Sequence, residues 1–482
     1  MDYEEKTNIM KKKSYSKRKK KRNKKYIILF NKKTIIITII LILFFCFIFY
    51  IFFLRKRIRR QKVKLDNNYN NDTYKIEEKE NNVEVRKIKN TDLFNLSKKI
   101  IEFDKSLRKI TNEEIINFRK SNSENILFDN KKYQKSENPN ITVIITMNNQ
   151  AHCIHKALRS VQNQSLKNIE ILILIDCSYD NSTETIQNYM KEDERIVMID
   201  HNTIEGTMKI RKEGIMLAKG NYITFLDGDD AFMHKDVLNN SIFIADLGNL
   251  DIVEFYGSEY RNRTTMGYTH FHIESVGVIS QPKLRTQFIN LKEKNNEYYR
   301  PIRCRNIWGK VIKKEIFLKT LDYMGSKYYD DYILEYEDTM MRIALFNVAN
   351  TYYLIKSQPG YFYSRDEKEG IFPFLRNKKC QKRQNVLKNI DGIKFLQFLF
   401  EKFQDNEFEQ KTIYYELITI KFYEFKRYFM HPNQHYEMFY DILDKVYKIK
   451  YLTVNEKKNV LKIIDEVKKI EEESKNKKNK DI

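Results

Sequence analysis

From Asn140 onward the chain alternates short apolar runs with amphipathic stretches. Ile141–Ile145, Ile169–Ile175, Ile196–Ile199 and Tyr222–Leu226 have strand length and β-branched content, so each predicts a buried strand. Between them, residues 150–163, 182–191 and 206–219 carry apolar side chains at helical spacing. Strand–helix alternation of this kind implies a parallel α/β sheet. Residues 92–119 predict an amphipathic helix that either packs on the following domain or self-associates. Beyond residue 373 the pattern becomes helical and charged, and the tail from Glu471 reads as disordered.

One apolar run has no polar face. Thr34–Leu54 is 21 residues without a charge, enough at about 1.5 Å per residue to span about 30 Å of hydrocarbon. A cleaved signal peptide has a shorter apolar stretch and small residues at its cleavage site, whereas Arg55-Lys56-Arg57 follow here. The run therefore predicts a single-pass anchor. The 33 residues before it carry 14 Lys/Arg and favour a cytoplasmic N-terminus, although residues 55–64 carry seven more. The expected topology is type II, with the large C-terminal part in the lumen of the Golgi or endoplasmic reticulum.

Charge refines the picture. The formal net charge of the 482 residues is +23, but residues 1–64 hold 21 Lys/Arg against three Asp/Glu. The remainder has 67 basic and 62 acidic residues, about +5. A polyanion-binding surface over the whole protein, and hence a nucleic-acid partner, is not supported. Five cysteines (46, 153, 177, 304 and 380) contain no C-x-x-C pair and leave room for one bridge at most by this reading. His270 and His272 have no obvious partner ligands and read as surface histidines.

The most informative stretch is Tyr222–Asp230, where a buried strand ends in Asp227-Gly228-Asp229-Asp230. Ligands of open α/β sheets bind beyond the carboxyl ends of strands. Crowded carboxylates there repel one another unless a cation intervenes, and Mg²⁺ or Mn²⁺ favours such oxygen ligands. A solvated turn is the alternative. Asp176 ends another strand, and Asp180 or Ser182 suits the cap of the helix after it.

Together these segments resemble the family 2 glycosyltransferases, inverting enzymes of the GT-A fold. Ile144–Gln150 is similar to the family's strand ending in Pro-x-Tyr-Asn-Glu, and Ala157–Ile171 to its next helix and strand. Ile175–Ser182 resembles Asp-Asp-Gly-Ser-x-Asp-x-Ser; Gly206, Arg211, Gly214, Ala218 and Gly220 follow in family order before the Asp227 cluster. Asn306–Glu315 looks like the family's Trp-x-Lys segment, Tyr336-Glu337-Asp338 like its Glu-Asp pair, and Tyr361–Arg365 like a late segment that brings Arg365 toward the diphosphate.

The resemblance implies a Rossmann-like nucleotide-diphospho-sugar transferase fold with an N-terminal transmembrane helix and a helical C-terminal extension. Its parts would be a basic tail (1–33), the membrane helix (34–54), a stem with an amphipathic helix (55–137), the GT-A domain (138–372) and a helical region with a disordered tail (373–482). It implies a hexosyl- or N-acetylhexosaminyltransferase that binds a UDP-sugar and Mn²⁺ or Mg²⁺. Thr146, Asn148, Gln150, Asp176, Ser178, Arg211, Asp227 and Gly228 would bind the nucleotide-sugar, with Asp176 at the base and Asp227 at the ribose. Asp227 and Asp229 would hold the metal, and Asp338 would be the catalytic base, tuned by Glu337. As plain chemistry, Glu337 and Asp338 equally suit a helix N-terminus. The acceptor would be a glycan, protein or lipid, with homodimerisation through the stem or C-terminal helices as a further expectation.

Some positions depart from the family pattern: Gln150 replaces a Glu, Ile175 an Asp, Cys177 a Gly and Lys212 an Asn. They leave open a catalytically inactive, membrane-tethered binding module. A processive polysaccharide synthase is disfavoured, because the sole Trp, Trp308, is preceded by Asn306-Ile307 and does not complete a Gln-x-x-Arg-Trp motif.

Overall fold

A computed structural model describes residues 90–120, 133–261, 265–268, 277–281, 283–288, 306–333, 336–364, 391–403, 407–419 and 436–478. The basic tail, the 34–54 run, the stem to residue 89, His270, His272, Cys304, Arg365 and Cys380 lie outside these residues. Two compact units divide the chain, Met1–Glu84 and Val85–Ile482, and the described residues all belong to the second. Among them, no helix is long and apolar enough to cross a membrane.

The first elements are α1 (Asn90–Ser106) and α2 (Asn112–Lys120), followed by β1 (Ile141–Met147), α3 (Ile154–Gln162), β2 (Ile169–Asp176), α4 (Ser182–Glu192), β3 (Ile196–His201), α5 (Thr207–Leu217) and β4 (Tyr222–Asp227). Next come β5 (Ala231–Phe232), α6 (Val237–Gly248), β6 (Ile252–Phe255), β7 (Gly257–Arg261), β8 (Thr265–Tyr268), β9 (Ile279–Ser280) and α7 (Lys283–Phe288). The remainder holds β10 (Lys310–Lys313), α8 (Lys314–Met324), α9 (Ser326–Tyr329), α10 (Glu337–Val348), β11 (Thr351–Ile355), β12 (Tyr361–Tyr363), α11 (Glu407–Thr419), α12 (Tyr436–Tyr447) and α13 (Val454–Lys478), with a further helical stretch over 391–402.

All four expected strands form, because continuous Ile/Val/Leu runs are stable only where both sheet faces are covered. Their side chains alternate between two cores. Ile144, Leu172, Leu174, Ile223 and Phe225 face α5, α8 and α10, while Val143, Ile145, Ile171, Ile173 and Leu226 face α3, α4 and α6. Each fully buried side chain of this kind contributes about 1.5–3 kcal/mol.

The main sheet has the order β3-β2-β1-β4-β10-β6-β11-β9. β3, β2, β1 and β4 are parallel. The four strands read from the sequence thus form the parallel part, and the sheet is mixed farther along: β10 is antiparallel to both β4 and β6, and β9 to β11. The segment 306–309 delivers β10 at the carboxyl edge of its neighbours, so the strand can only run back down. Gly309, at φ 73°, makes the reversal, and a Cβ there would meet the Phe255 carbonyl at 3.1 Å. A smaller sheet, β5-β12-β7-β8, lies beside the end of β4.

The 92–119 segment is two helices, because Thr111 and Glu114 form a reciprocal capping box that starts α2 afresh. The Thr111 N–H donates to Glu114 Oε2 at 2.9 Å, and the Glu114 N–H to Thr111 Oγ1 at 3.2 Å. α1 packs on the domain through fully buried Ile100. Its buried Asp104 carboxylate accepts from the Tyr353 hydroxyl (2.8 Å) and from the N–H groups of Lys356 (3.0 Å) and Ser357 (3.1 Å). The C-terminal helices share the α10-side core, where Phe395 stacks on Tyr336 at 5.0 Å. Helix continues through Lys478, beyond the Glu471 at which the sequence suggested disorder. Glu471 there accepts from the Tyr440 hydroxyl at 2.8 Å and pairs with Lys475.

Candidate active site

Strand order reverses at β1: the chain steps from β1 to β2 and β3 on one side, then returns to place β4 on the other. Such a switch point opens a crevice beyond the strand ends. Thr146 and Asp227 are register partners at this edge, Asp176 ends β2, and Asn148, Gln150, Ser178, Gly228 and Asp229 lie in the loops just beyond.

The β1 and β2 loops are tied by short polar side chains. The Asn148 amide donates to the Asp176 carbonyl, the Asn149 N–H to Ser178 Oγ (2.9 Å), and the Tyr179 N–H to Asn149 Oδ1 (2.8 Å). Asn149 and Cys177 both sit at φ 53° to make these tight turns. The Asp176 carboxylate receives the N–H groups of Glu205 (2.7 Å) and Gly206 (3.1 Å), ordering the entry to α5. Burial pushes its pKa up, against those two hydrogen bonds. Cys177 and Cys153 are buried and unbridged.

Arg211 of α5 is the centre of the site. It is 4% exposed, and its guanidinium reaches Asp227 (3.2 Å), Glu337 (3.2 Å) and Asp338. Residues 227 and 338, far apart in sequence, thereby meet on one cation. Burial works against the charged guanidinium, but the three carboxylates outweigh it and hold it firmly protonated. Two of the carboxyls are raised as well. Burial raises Asp227, with repulsion from Asp338 opposing the pull of Arg211. Glu337 is pushed up to about 8, by burial first and then by Asp338. Asp338 Oδ2 also receives the Ile307 N–H at 3.3 Å.

The rest of the Asp227 cluster divides by role. Asp230 is 1% exposed and accepts from the Tyr361 hydroxyl (2.6 Å) and the Ser364 N–H (2.8 Å), fastening the loop to β12. Tyr361 also accepts from the Asp227 N–H at 3.3 Å and stacks on Trp308 at 4.2 Å. Asp229 remains partly exposed. Gly228 packs so tightly that a Cβ would lie 2.5 Å from Gln150 Oε1. That Gln150 oxygen is buried without a hydrogen-bond partner, as befits an acceptor completed by a ligand donor.

The donor set suits a divalent cation in one specific way. Three carboxylates share one guanidinium, and Asp229 adds a fourth negative group one loop position from Gly228. No group of three or more His, Cys, Asp and Glu side chains is arranged to hold a metal among the described residues. A cation of the Mg²⁺ type needs no such group, since it takes one or two carboxylates and fills its other positions from substrate phosphates.

Sequence reasoning named Arg211 as a nucleotide contact and missed its place between Asp227 and Asp338. It also missed Glu254 and Arg342, which lie behind the Trp308 segment. The one available signal was the four-residue spacing of Asp338 and Arg342, which stacks them on one helix face.

Comparison with known proteins adds independent findings. Residues 142–317 match the family model of Glycosyl transferase family 2. The chain is 28% identical over 213 residues, 44% of its length and 57% of the relative's, to the uncharacterized glycosyltransferase EpsJ of Bacillus subtilis. It is 30% identical over 146 residues, 30% of its length and 51% of the relative's, to the Escherichia coli UDP-Glc:alpha-D-GlcNAc-diphosphoundecaprenol beta-1,3-glucosyltransferase WfaP. The chain thus spans about half the length of these curated relatives. The crystal structure of S. aureus TarS 1–349 in complex with UDP-GlcNAc is 14% identical, with a TM-score of 0.44, over 70% of this chain and 91% of that one.

Proposed function

We propose that the protein is a metal-dependent inverting glycosyltransferase that moves a sugar from a UDP-sugar to a hydroxyl of a glycan, glycoprotein or glycolipid. The observation that carries this reading is the meeting of Asp227 and Asp338 on buried Arg211 at the switch point of the sheet. The match of residues 142–317 to Glycosyl transferase family 2 supports it.

In this reading the nucleotide lies across the ends of β1, β2 and β4. Asp176 and the unpartnered Gln150 oxygen face the nucleoside, and Asp227 and Asp229 take the divalent cation. When bound, that cation neutralises charge building on the departing diphosphate. Asp338 accepts the proton of the acceptor hydroxyl as the hydroxyl oxygen bonds to the anomeric carbon. The bond from that carbon to the diphosphate oxygen breaks on the opposite face, its electron pair leaves with the nucleotide, and configuration inverts. Arg211 holds Asp338 in place. A lipid-linked acceptor, as named for the E. coli relative, suits a chain anchored through residues 34–54.

The test uses the full chain with Mn²⁺, UDP-glucose and UDP-N-acetylglucosamine, measuring UDP release and then product stereochemistry. Asp229→Ala and Asp338→Asn should each reduce turnover by about 10²–10⁴-fold while leaving the unfolding midpoint in place. Turnover retained in either variant removes the assignment of that residue, whereas UDP-sugar binding by the wild type without UDP release favours a binding module.

A further inference from the structure

Behind the proposed base lies a second buried charge cluster. Glu254 of β6 is 2% exposed and pairs with fully buried Lys310 of β10 (3.3 Å) and with Arg342 of α10 (3.5 Å). It also accepts from the Tyr352 hydroxyl at 3.0 Å. The two cations have further targets. Lys310 Nζ donates to the carbonyls of Asn306 (3.1 Å) and Trp308 (2.9 Å). Arg342 Nη1 donates to the same Asn306 carbonyl at 3.1 Å and to its Oδ1 at 3.3 Å.

Asn306 C=O and Ile307 N–H are the two ends of one planar peptide group, and they point in opposite directions. Its carbonyl is held by Lys310 and Arg342, and its N–H by Asp338 Oδ2 at 3.3 Å. Asp338 and Arg342 stand one turn apart on α10, so successive turns of one helix grip opposite ends of the same peptide. Rotation of that peptide would withdraw the N–H from the carboxylate.

We propose that Lys310 and Arg342 are positioning residues for the reaction: by fixing the 306–307 peptide they orient the Asp338 carboxylate toward the acceptor hydroxyl. The inference rests on the reading of Asp338 as the base. Glu254 holds both cations in place, and touches no substrate.

The experiment uses full-length Lys310→Met and Arg342→Met with the same UDP-release assay. Each leaves Glu254 with one cation and Tyr352, so the core retains a paired carboxylate. The expected result is a fall in kcat of about ten- to a hundredfold, the scale of a small misplacement of a reacting group. UDP affinity should stay at the wild-type value. The acid limb of the kcat–pH profile should move upward, because a carboxylate that loses an N–H bond is easier to protonate. Arg342→Lys, which returns a cation without the fork, should recover part of kcat.

A merely structural role would lower stability without moving the acid limb of the folded protein. An unmoved limb in both folded Met variants, or UDP affinity that falls as far as kcat, overturns the proposal. Failure of both to fold overturns it as well, since the cluster would then serve stability alone. Asp338→Asn is run alongside: turnover retained there defeats the base assignment, whereas turnover lost there with wild-type Met variants defeats only the positioning role.

Discussion

Two buried charge clusters sit on either side of the Asn306–Trp308 segment, and their imbalances are opposite. At Arg211 one guanidinium faces three carboxylates; at Glu254 one carboxylate faces two cations. In the Glu254 cluster backbone carbonyls accept from Lys310 and Arg342, and the Tyr352 hydroxyl donates to Glu254. The Arg211 cluster lies at the strand-end crevice instead. Burial first, and then repulsion from Asp338, lift the Glu337 and Asp227 carboxyls there, and nearby the Gln150 oxygen is left unpartnered. An excess of carboxyls at the strand ends marks the site that takes a ligand, while a single carboxylate held between two cations marks the scaffold behind it.

The largest break in this comparison should come from Glu254→Leu, which leaves two buried cations without a counter-charge. It should destabilise the fold by about 3–5 kcal/mol in denaturant titrations, with Lys310→Met/Glu254→Leu milder than Glu254→Leu alone. Gly228→Ala comes next. The added Cβ meets Gln150 and, at 3.2 Å, Met147 Cβ, so a stability loss of about 1–3 kcal/mol should accompany weaker UDP binding by calorimetry.

A pH series separates the clusters more finely. Glu337 has its carboxyl raised from 4.5 to about 8. Folding therefore increases its proton affinity, and its contribution to stability is full below pH 4.5 and lost as pH rises through 8. In EDTA, wild type should lose more stability across that window than Glu337→Gln; matching curves would remove Glu337 from the account. The smallest effect is expected at the exposed Asp441–Lys445 pair of α12 (2.6 Å). Asp441→Asn should change stability by less than about 0.5 kcal/mol, a baseline for charges that neither cluster holds.

Much of the fold was legible early, from particular residues. The Ile/Val runs at 141, 169, 196 and 222 announce strands because only a doubly covered sheet buries such runs, and Asp227 follows at the edge where ligands bind. Less was visible of the C-terminal half of the sheet. β10 is four residues long, and nothing in its local pattern sets its direction. The break between α1 and α2 had a local cause, the Thr111–Glu114 box, but the run of apolar positions through Leu107 and Ile110 masked it. The role of Asp230 was hidden because its partners, Tyr361 and Ser364, lie more than 130 positions away.

By itself the sequence determined the first four strands and the helices between them, and which short-range loops carry carboxylates. Those features depend on periodicity and on neighbours within a few residues. Only the tertiary structure decided which charges meet. Arg211 is 16 residues from Asp227 and 127 from Asp338, and burial in a low-dielectric core turns that meeting into shifted carboxyls and a fixed guanidinium. The same burial joins Glu254 to Lys310 and Arg342. Such pairings follow from the strand order and not from the chain order, which is why no local reading of the residues could assign them.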